Sequence, residues 1–358
     1  MTDTPPPTIP APLRRGWTTG ACATAATHGA LERLWGGAFP ETVRLVLPRG
    51  ETPLFVLRDC AAGDGWAECA VQKDAGDDPD VTHGAVIHVR ARDLDAGGVI
   101  FRAGPGVGTV TRPGLPIPVG EPAVNPVPRA MMQAVVADLA ARFARPPHVE
   151  LTISIPGGAA LAEKTWNPRL GILGGLSILG TTGVVRPFSC SAWIASIQRG
   201  IDVARAAGLP HVAGCTGATS EKAVQTLYGL PDHAMLDMGD FAGGLLKYLA
   251  RHPVDRVTIG GGIGKLAKLG QGARDLHSGR SQVDFTALGA LARQAGLADV
   301  AGAHTALEAL QIAGPGLAQA VAHSALGTVR EILGTAPVAA DVVVTDRGGA
   351  VLGRAAEG

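Results

Sequence analysis

Four groups of residues in this sequence have types and spacing suited to chemistry. The first is Lys73-Asp74-Ala75-Gly76-Asp77-Asp78-Pro79-Asp80, followed by His83-Gly84. Carboxylates and an imidazole on a Gly/Pro turn can supply a general base, with Asp77 and His83 the candidates. A solvated acidic turn is the competing reading. The second group is three glycine-rich strings: His211 to Ser220, Asp237-Met238-Gly239-Asp240, and Gly260-Gly261-Gly262-Ile263-Gly264-Lys265. Glycines let the backbone approach a ligand, and acidic side chains accept hydrogen bonds from ribose hydroxyls. That makes Gly214, Thr216, Gly217, Asp237, Asp240, Gly260, Gly261 and Gly262 candidates for a nucleotide-like ligand. Lys265, Lys268 and the segment Arg274 to Arg280 extend the third string, and its His277 is a further acid/base candidate. The third group is Arg112, Arg129, Lys164, Arg169 and Arg186, spread through Gly- and Pro-rich loops. Together with Lys265, such separated cations suit a large ligand with several carboxylates, although surface arginines on ordinary loops give the same pattern. The fourth is Thr18-Thr19-Gly20 at a helix start, where hydroxyls and open N–H groups can hold an anion, or simply cap a closely packed helix.

Other motifs fail on their surroundings. Gly104, Gly106 and Gly108 mimic a dinucleotide loop, but Thr109 stands at the third glycine position, and Pro113 and Pro116 exclude the helix that must follow. Gly264-Lys265 mimics the end of a phosphate loop, but Ile259 and Leu266 stand where a glycine and a Ser/Thr are required. There is no HExxH pattern and no CxxC pair among Cys22, Cys60, Cys69, Cys190 and Cys215, so neither a zinc site nor a disulfide framework is expected.

The elements that must carry these groups can be read from periodicity. Trp17–Leu34 reads as a helix with threonine caps. Strand-like runs follow at Thr42–Leu47, Pro53–Arg58, Trp66–Gln72, Ala85–Val89 and Gly98–Arg102, then a helix at Pro128–Arg142 and a strand at His148–Ile155. After this α+β half, helical pattern alternates with β-branched strands at His211–Ala213, Ala234–Met238, Val254–Ile259 and Asp341–Thr345, which argues for a mainly parallel sheet covered by helices. Helices fall near Ala192–Ala207, Ser220–Tyr228, Phe241–Arg251 and between Phe285 and Leu333. The expected organisation is a disordered tail over 1–13, an α+β domain over 14–185 and an α/β domain over 186–358. In such a sheet ligands bind beyond the carboxyl ends of the strands, where the three glycine strings fall.

Composition narrows the function classes. The chain's 358 residues suit two domains. Lys+Arg and Asp+Glu are both 31, and this zero balance argues against a nucleic-acid binder. The proline-rich start has no apolar segment of the signal-peptide kind, the uncharged stretches are broken by Gly and Thr, and the unpaired cysteines suit a reducing cytoplasm; a membrane partner is not expected. A homo-oligomer is compatible with the sequence.

The strings GWTTGACATAA (16–26), DAGDDPDVTHG (74–84), GPGVGTVTRPGLPIPVGEPAVNPVPR (104–129), KTWNPRLGILGGLSILGTTGVVRP (164–187), HVAGCTGATSEKAVQTLYGL (211–230) and TIGGGIGKLAKLGQGARDLHSGRSQVDF (258–285) together resemble the cobalt-precorrin-5B C-1-methyltransferases. The resemblance runs in order from about Leu13 to about Phe285; Trp17, where many relatives carry Tyr, is a mild departure. It implies transfer of a methyl group from S-adenosylmethionine to C-1 of cobalt-precorrin-5B, giving cobalt-precorrin-6A in cobalamin biosynthesis. It implies no protein-bound metal, because the cobalt arrives in the tetrapyrrole polycarboxylate substrate. It also implies a first domain similar to the ribosomal S5 domain 2 type and an α/β second domain. The competing functions are an ATP-dependent kinase or ligase on an S5-like domain, with Thr18 and Thr19 on a phosphate, and a non-enzymatic tetrapyrrole carrier.

Overall fold

A computed structural model describes residues 13–357. The expected tail lies outside the described residues except for Leu13. The chain divides into two compact units, the first comprising residues up to Thr111 and Pro116–Ser189, the second Arg112–Leu115 and Cys190 onward. Residues 112–115, which the sequence reading assigned to the first domain, therefore group with the second.

The first unit opens with helix α1 (Thr19–Gly36). Thr18 caps it, its Oγ1 accepting from the Ala21 N–H at 3.2 Å. Gly37 ends it in the left-handed conformation, φ 88°, its N–H donating to the Arg33 carbonyl. The string Gly-Ala-Cys-Ala-Thr-Ala-Ala-Thr buries almost completely, and the small residues let the helix lie close on its sheet: at Gly29 a Cβ would sit 2.2 Å from Leu57 and 3.1 Å from the Cys69 sulfur. Thr24 and Thr27 satisfy their buried hydroxyls on the carbonyls four residues back, at 2.8 Å each. That sheet has strands β1 (Arg58–Gly63), β2 (Trp66–Gln72), β3 (Val86–Asp93), β4 (Val99–Ala103) and β5 (Val149–Ser154), in the order β1-β2-β3-β5-β4. All neighbours are antiparallel except β5 and β4. Helix α2 (Pro126–Arg142) packs beside α1, and the short α3 (Gly158–Ala162) follows β5. The core joins Leu31, Ile87, Val89, Met132, Leu139, Leu151 and Ile153. Truncating one such side chain to Ala costs about 2–5 kcal/mol. Gly16–Trp17 pairs antiparallel with Val184–Val185, so the two ends of the unit's chain lie side by side.

The second unit is a sheet with helices on both faces. Its elements are α4 (Cys190–Ala206), β6 (His211–Cys215), α5 (Ala218–Tyr228), β7 (Met235–Leu236), α6 (Ala242–Leu249), β8 (Arg256–Gly262), α7 (Ile263–Gly270), α8 (Phe285–Gln294), α9 (Ala306–Ala313), α10 (Gly316–Leu333), β9 (Ala339–Thr345) and β10 (Val351–Ala356). The strand order is β7-β6-β8-β9-β10, with only β10 antiparallel. Side chains alternate as a pleated strand requires. Val212, Val257, Ile259, Val342 and Val344 face the helix-rich core with α4, α6, α7 and α10. Ala213, Cys215 and Val343 face Val224 of α5. Chain order runs 2-1-3-4-5 across the sheet, so the direction of winding reverses between β6 and β8. At such a switch point the loops after the two strands part to opposite faces and leave a crevice at their carboxyl ends.

Candidate functional site

The crevice ends of β6 and β8 carry two of the three glycine strings, and the structure sorts their glycines into two kinds. Gly214 lies inside β6, where a Cβ would stand 2.5 Å from Leu245 and 3.1 Å from Met238. Gly260 and Gly261 lie inside β8, paired with Val343 and Val344 of β9, rather than in the loop the sequence suggested. A Cβ on Gly260 would meet the Cys215 sulfur and Val224 at 2.7 Å, and one on Gly261 would meet Thr216 Oγ1 at 2.7 Å. These three glycines are the condition for α5 and the neighbouring loops to close on the sheet, so packing alone accounts for them. Gly217 and Gly262 are different. Gly217 is exposed and extended, with nothing within 4 Å of a Cβ, and a Cβ on Gly262 would have only the Thr345 carbonyl oxygen, at 4.0 Å. Each immediately precedes a helix, α5 and α7, and neither helix start has a side-chain cap. The Thr216 N–H donates to the Gly260 carbonyl at 2.9 Å, which holds the two loops adjacent. Two uncapped helix starts side by side present free N–H donors and positive dipole ends to one crevice.

The β7 loop borders the same end of the sheet. Asp237 directly follows the strand and Asp240 lies three residues on, its carboxylate paired with Lys265 of α7. Lys265 was a candidate for substrate carboxylates and Asp240 for the cofactor; each is the other's partner. The Leu276 N–H donates to the Asp240 carbonyl at 2.8 Å, and the Gly243 N–H to the Arg274 carbonyl at 2.8 Å. These bonds fix the Arg274–Arg280 turn against the β7 loop and bring His277 to the cluster. Arg280 clamps the turn, reaching Asp275 with one nitrogen and the Cys190 sulfur at 2.9 Å with another. Partial burial raises the Asp275 pKa, but the hydrogen bond from Arg280, the His277 N–H at 3.1 Å and the Arg280 charge outweigh it and hold the carboxyl below the usual carboxylate range. The exposed His277 imidazole accepts the Gly279 N–H on Nδ1 at 3.1 Å, so its neutral form carries its proton on Nε2 and offers a donor.

Lys268, buried on α7, donates to the Leu276 carbonyl at 2.9 Å, and burial and the nearby Lys265 charge lower its pKa. Lys268 and the Arg274–Arg280 segment were read in the sequence as extending the third glycine string; Trp193 is a site neighbour that sequence reasoning missed, and no local signal announced it. Cys215, directly before the β6 loop, is no nucleophile: burial pushes its thiol up to about 12.

A concavity of about 520 Å³ lies in the same unit between α7, α8 and α10. Its polar side chains are turned to the protein's own backbone: Gln271 holds Asp284 through both its amide atoms, Ser324 holds the Gly270 carbonyl, and Lys268 holds Leu276. Most of its polar side chains are thus engaged with the protein's own backbone rather than converging on the cavity.

In the first unit the acidic string forms a knot. Lys73, only 4% exposed, donates to Asp80 and to Thr82 Oγ1, both at 2.5 Å. Burial raises the Asp80 pKa, but the Lys73 charge and the hydrogen bonds from Lys73 and Thr82 outweigh it and hold the carboxyl below the usual range. Asp74 pairs with the Arg14 guanidinium, Asp77 accepts the Arg14 N–H at 2.6 Å, and Asp78 accepts the Phe188 N–H at 2.9 Å. Asp77 and His83 are both exposed, and His83 accepts the Ala75 N–H on Nδ1 at 3.1 Å. The neutral His83 imidazole, like His277, offers a donor. In this arrangement each of the four carboxylates holds a partner within the unit, while Asp77 and His83 stay open to solvent.

The remaining candidates do not form one group. Thr18 Oγ1 serves the helix cap, and the Gly20 N–H donates to the Leu179 carbonyl at 2.8 Å, so the start of α1 has little left for an anion; Thr19 is buried. Arg129 lies over Phe101 and donates to the Val124 and Pro122 carbonyls and to Glu121, which makes it the brace of the 121–124 loop. Arg169 lies 4.3 Å over Trp166, while Lys164 and Arg186 are exposed. Arg112 sits in the second unit, on a segment whose Gly114 backbone touches Asp202 and Val203 in the last turns of α4, and beside His233 before β7. That is the amino end of the strands, opposite the glycine loops.

A CbiD family model matches residues 8–187, and a model described as CbiD, C-terminal domain, matches residues 275–356. The chain is 59% identical over 353 residues to the cobalt-precorrin-5B C(1)-methyltransferase of Brucella anthropi, with 96% of each chain covered. It is 59% identical over 350 residues to that of Paramagnetospirillum magneticum, covering 96% of this chain and 98% of the relative. Among solved structures, the cobalamin biosynthesis protein (cbiD) of Archaeoglobus fulgidus is 28% identical, with 75% of this chain and 83% of that chain covered and a TM-score of 0.41.

Proposed function

This chain belongs to the CbiD family, and from that membership we propose that it methylates C-1 of cobalt-precorrin-5B, with S-adenosylmethionine as methyl donor and cobalt-precorrin-6A as product. The observation that carries the reading is the near-full-length identity to methyltransferases of this name in two organisms. The first unit we read as similar to the ribosomal S5 domain 2 type. The donor we assign to the crevice beyond β6 and β8. Its fit rests on the open Gly217 and Gly262, the two uncapped helix starts and Asp237, which lies about twenty residues beyond the β6 glycines, the spacing at which an acidic side chain meets a ribose.

When bound, the donor supplies an activated sulfonium methyl group. The protein's task is then mostly positioning. The N–H groups at the starts of α5 and α7 suit the donor's carboxylate, and Asp237 its ribose hydroxyls. Lys265, held by Asp240, keeps a fixed charge at the mouth of the crevice. His277 presents Nε2–H beside these groups and can donate to the substrate; with its Nδ1 bond to Gly279 released, it can take a proton. Lys164, Arg169, Arg186 and Arg112 are the candidates for the macrocycle's carboxylates, because Arg129 braces the 121–124 loop.

The test is direct. Incubating the protein with cobalt-precorrin-5B and S-adenosylmethionine should yield a corrinoid heavier by one methylene and an equal amount of adenosylhomocysteine. ATP turnover, or corrinoid binding without adenosylhomocysteine binding, would replace this reading with a ligase or a carrier.

A further inference from the structure

Trp193 is the sole tryptophan of the second unit and sits in the first helical turn of α4, three residues beyond the Cys190 that Arg280 grips. Its indole is held on several sides. Nε1–H donates to the Asp237 carbonyl at 2.8 Å, Phe241 backs the ring at 6.1 Å between centroids, and the ring lies 3.4 Å from the point where a Cβ on Gly239 would stand. Gly239 has φ 52°, so a side chain there would be strained as well as crowded against the indole. Yet Trp193 remains 45% exposed. A large aromatic surface fixed in orientation and left open is a poor solution for core packing and a good one for a planar ligand. Its place selects the ligand: it is hydrogen-bonded to the residue whose carboxylate is suited to a ribose, and an adenine attached to that ribose must lie nearby.

We propose that Trp193 is the stacking platform for the adenine of the methyl donor, a positioning and specificity residue beside Asp237. The inference rests on the reading of the strand-end crevice as the donor's site. Base–aromatic stacking tolerates any π-face but needs a ring, and its removal by alanine weakens binding by about ten-fold. Gly239 keeps the platform clear, and the hydrogen bond to Asp237 keeps it in register with the sugar.

The test is calorimetric titration of the full chain with adenosylhomocysteine, using wild type, Trp193→Ala, Trp193→Phe, Gly217→Val and Asp237→Asn. Trp193→Ala should raise Kd about ten-fold, and Trp193→Phe should restore most of the affinity. In parallel, adenosylhomocysteine should quench tryptophan emission in wild type, and this quenching should vanish in Trp193→Phe although that variant still binds. Unchanged affinity in Trp193→Ala, or quenching that persists in Trp193→Phe, overturns the inference. If at the same time Gly217→Val and Asp237→Asn lose affinity, the crevice assignment stands and only the role of Trp193 fails; if all four variants bind like wild type, the crevice itself is lost. A Trp193→Ala protein that loses affinity for the corrinoid but not for adenosylhomocysteine would assign the indole to the macrocycle and also overturn it.

Discussion

Lys73 and Asp80 are the clearest case in which residue types were legible and roles were not. The sequence offers four carboxylates and a lysine in one turn, but who meets whom depends on β2 delivering Lys73 to the interior and on the turn folding back over it. Removing one member of a buried pair costs more than the pair contributes, because the other charge is stranded. Asp80→Asn, which strands an ammonium with almost no access to water, should lower stability at pH 7 by about 3 kcal/mol. Lys73→Met should cost less, since the carboxylate left behind keeps 22% exposure. The pH dependence has a definite sign. Asp80 is depressed in the folded state, so its contribution is complete above the unfolded carboxyl pKa of about 4 and fades as pH falls through the folded value. Thermal midpoints of wild type and Asp80→Asn should therefore converge as pH falls below about 4; a gap that stays constant to low pH removes the pair as its cause. His277 belongs to the same scale. His277→Ala should lower kcat by about 10²-fold with adenosylhomocysteine affinity unchanged, as a proton donor or acceptor at the reacting centre requires. Single-turnover methylation at the wild-type rate would leave positioning alone to carry the chemistry.

Among elements, the long helices and the β-branched strands were legible because their periods of 3.6 and 2 survive in the sequence. Trp66–Gln72 is reproduced residue for residue, and α1, α2 and α4 to within two residues at most boundaries. Two stretches show why other parts were not legible. Strand β10, Val-Leu-Gly-Arg-Ala-Ala, has neither alternation nor β-branching beyond its first residue and is held by β9 and α10. The Gly260–Gly262 stretch looked like a loop because glycine is depleted in strands; here it continues β8, since tertiary packing against Cys215, Val224 and Thr216 leaves no room for a side chain. This division predicts two opposite outcomes from one chemical change. Gly217→Val should keep the wild-type thermal midpoint and lose adenosylhomocysteine affinity by ten-fold or more, because its Cβ points into open space. Gly214→Val should lower stability by about 1–3 kcal/mol through collision with Leu245 and Met238. Thermal scans with ligand titrations on the same two proteins check both, and the reverse pattern would refute the sorting of the glycines.

At the scale of the whole chain, the sequence suggested two domains meeting at 185/186, and nothing in it marks the four residues Arg112–Leu115, which lie in sequence within the first unit and group with the second. No local pattern announces such an exchange. Gly114 is its hinge point, with φ 106° and a would-be Cβ 2.6 Å from the Asp202 carbonyl oxygen and Val203 Cα. Gly114→Ala should cost about 2 kcal/mol or more, combining left-handed strain with a backbone clash, and should lower the thermal midpoint without altering the Gly217 crevice; an unchanged midpoint would mean the segment is not docked there. The first unit has a different large-scale property. Arg14 to Trp17 at one end of its chain and Val184 to Phe188 at the other are paired with each other and knotted to the same acidic turn. The unit is in effect a ring closed by a clasp. In that antiparallel clasp the two outgoing chain ends leave from the same side, so tension on them opens the contacts one after another, as in a zipper, instead of shearing them together. The body of the sheet then carries no load until the clasp is open, and the unit's mechanical threshold is set by a few bonds at its seam while its thermal resistance is set by the core behind it.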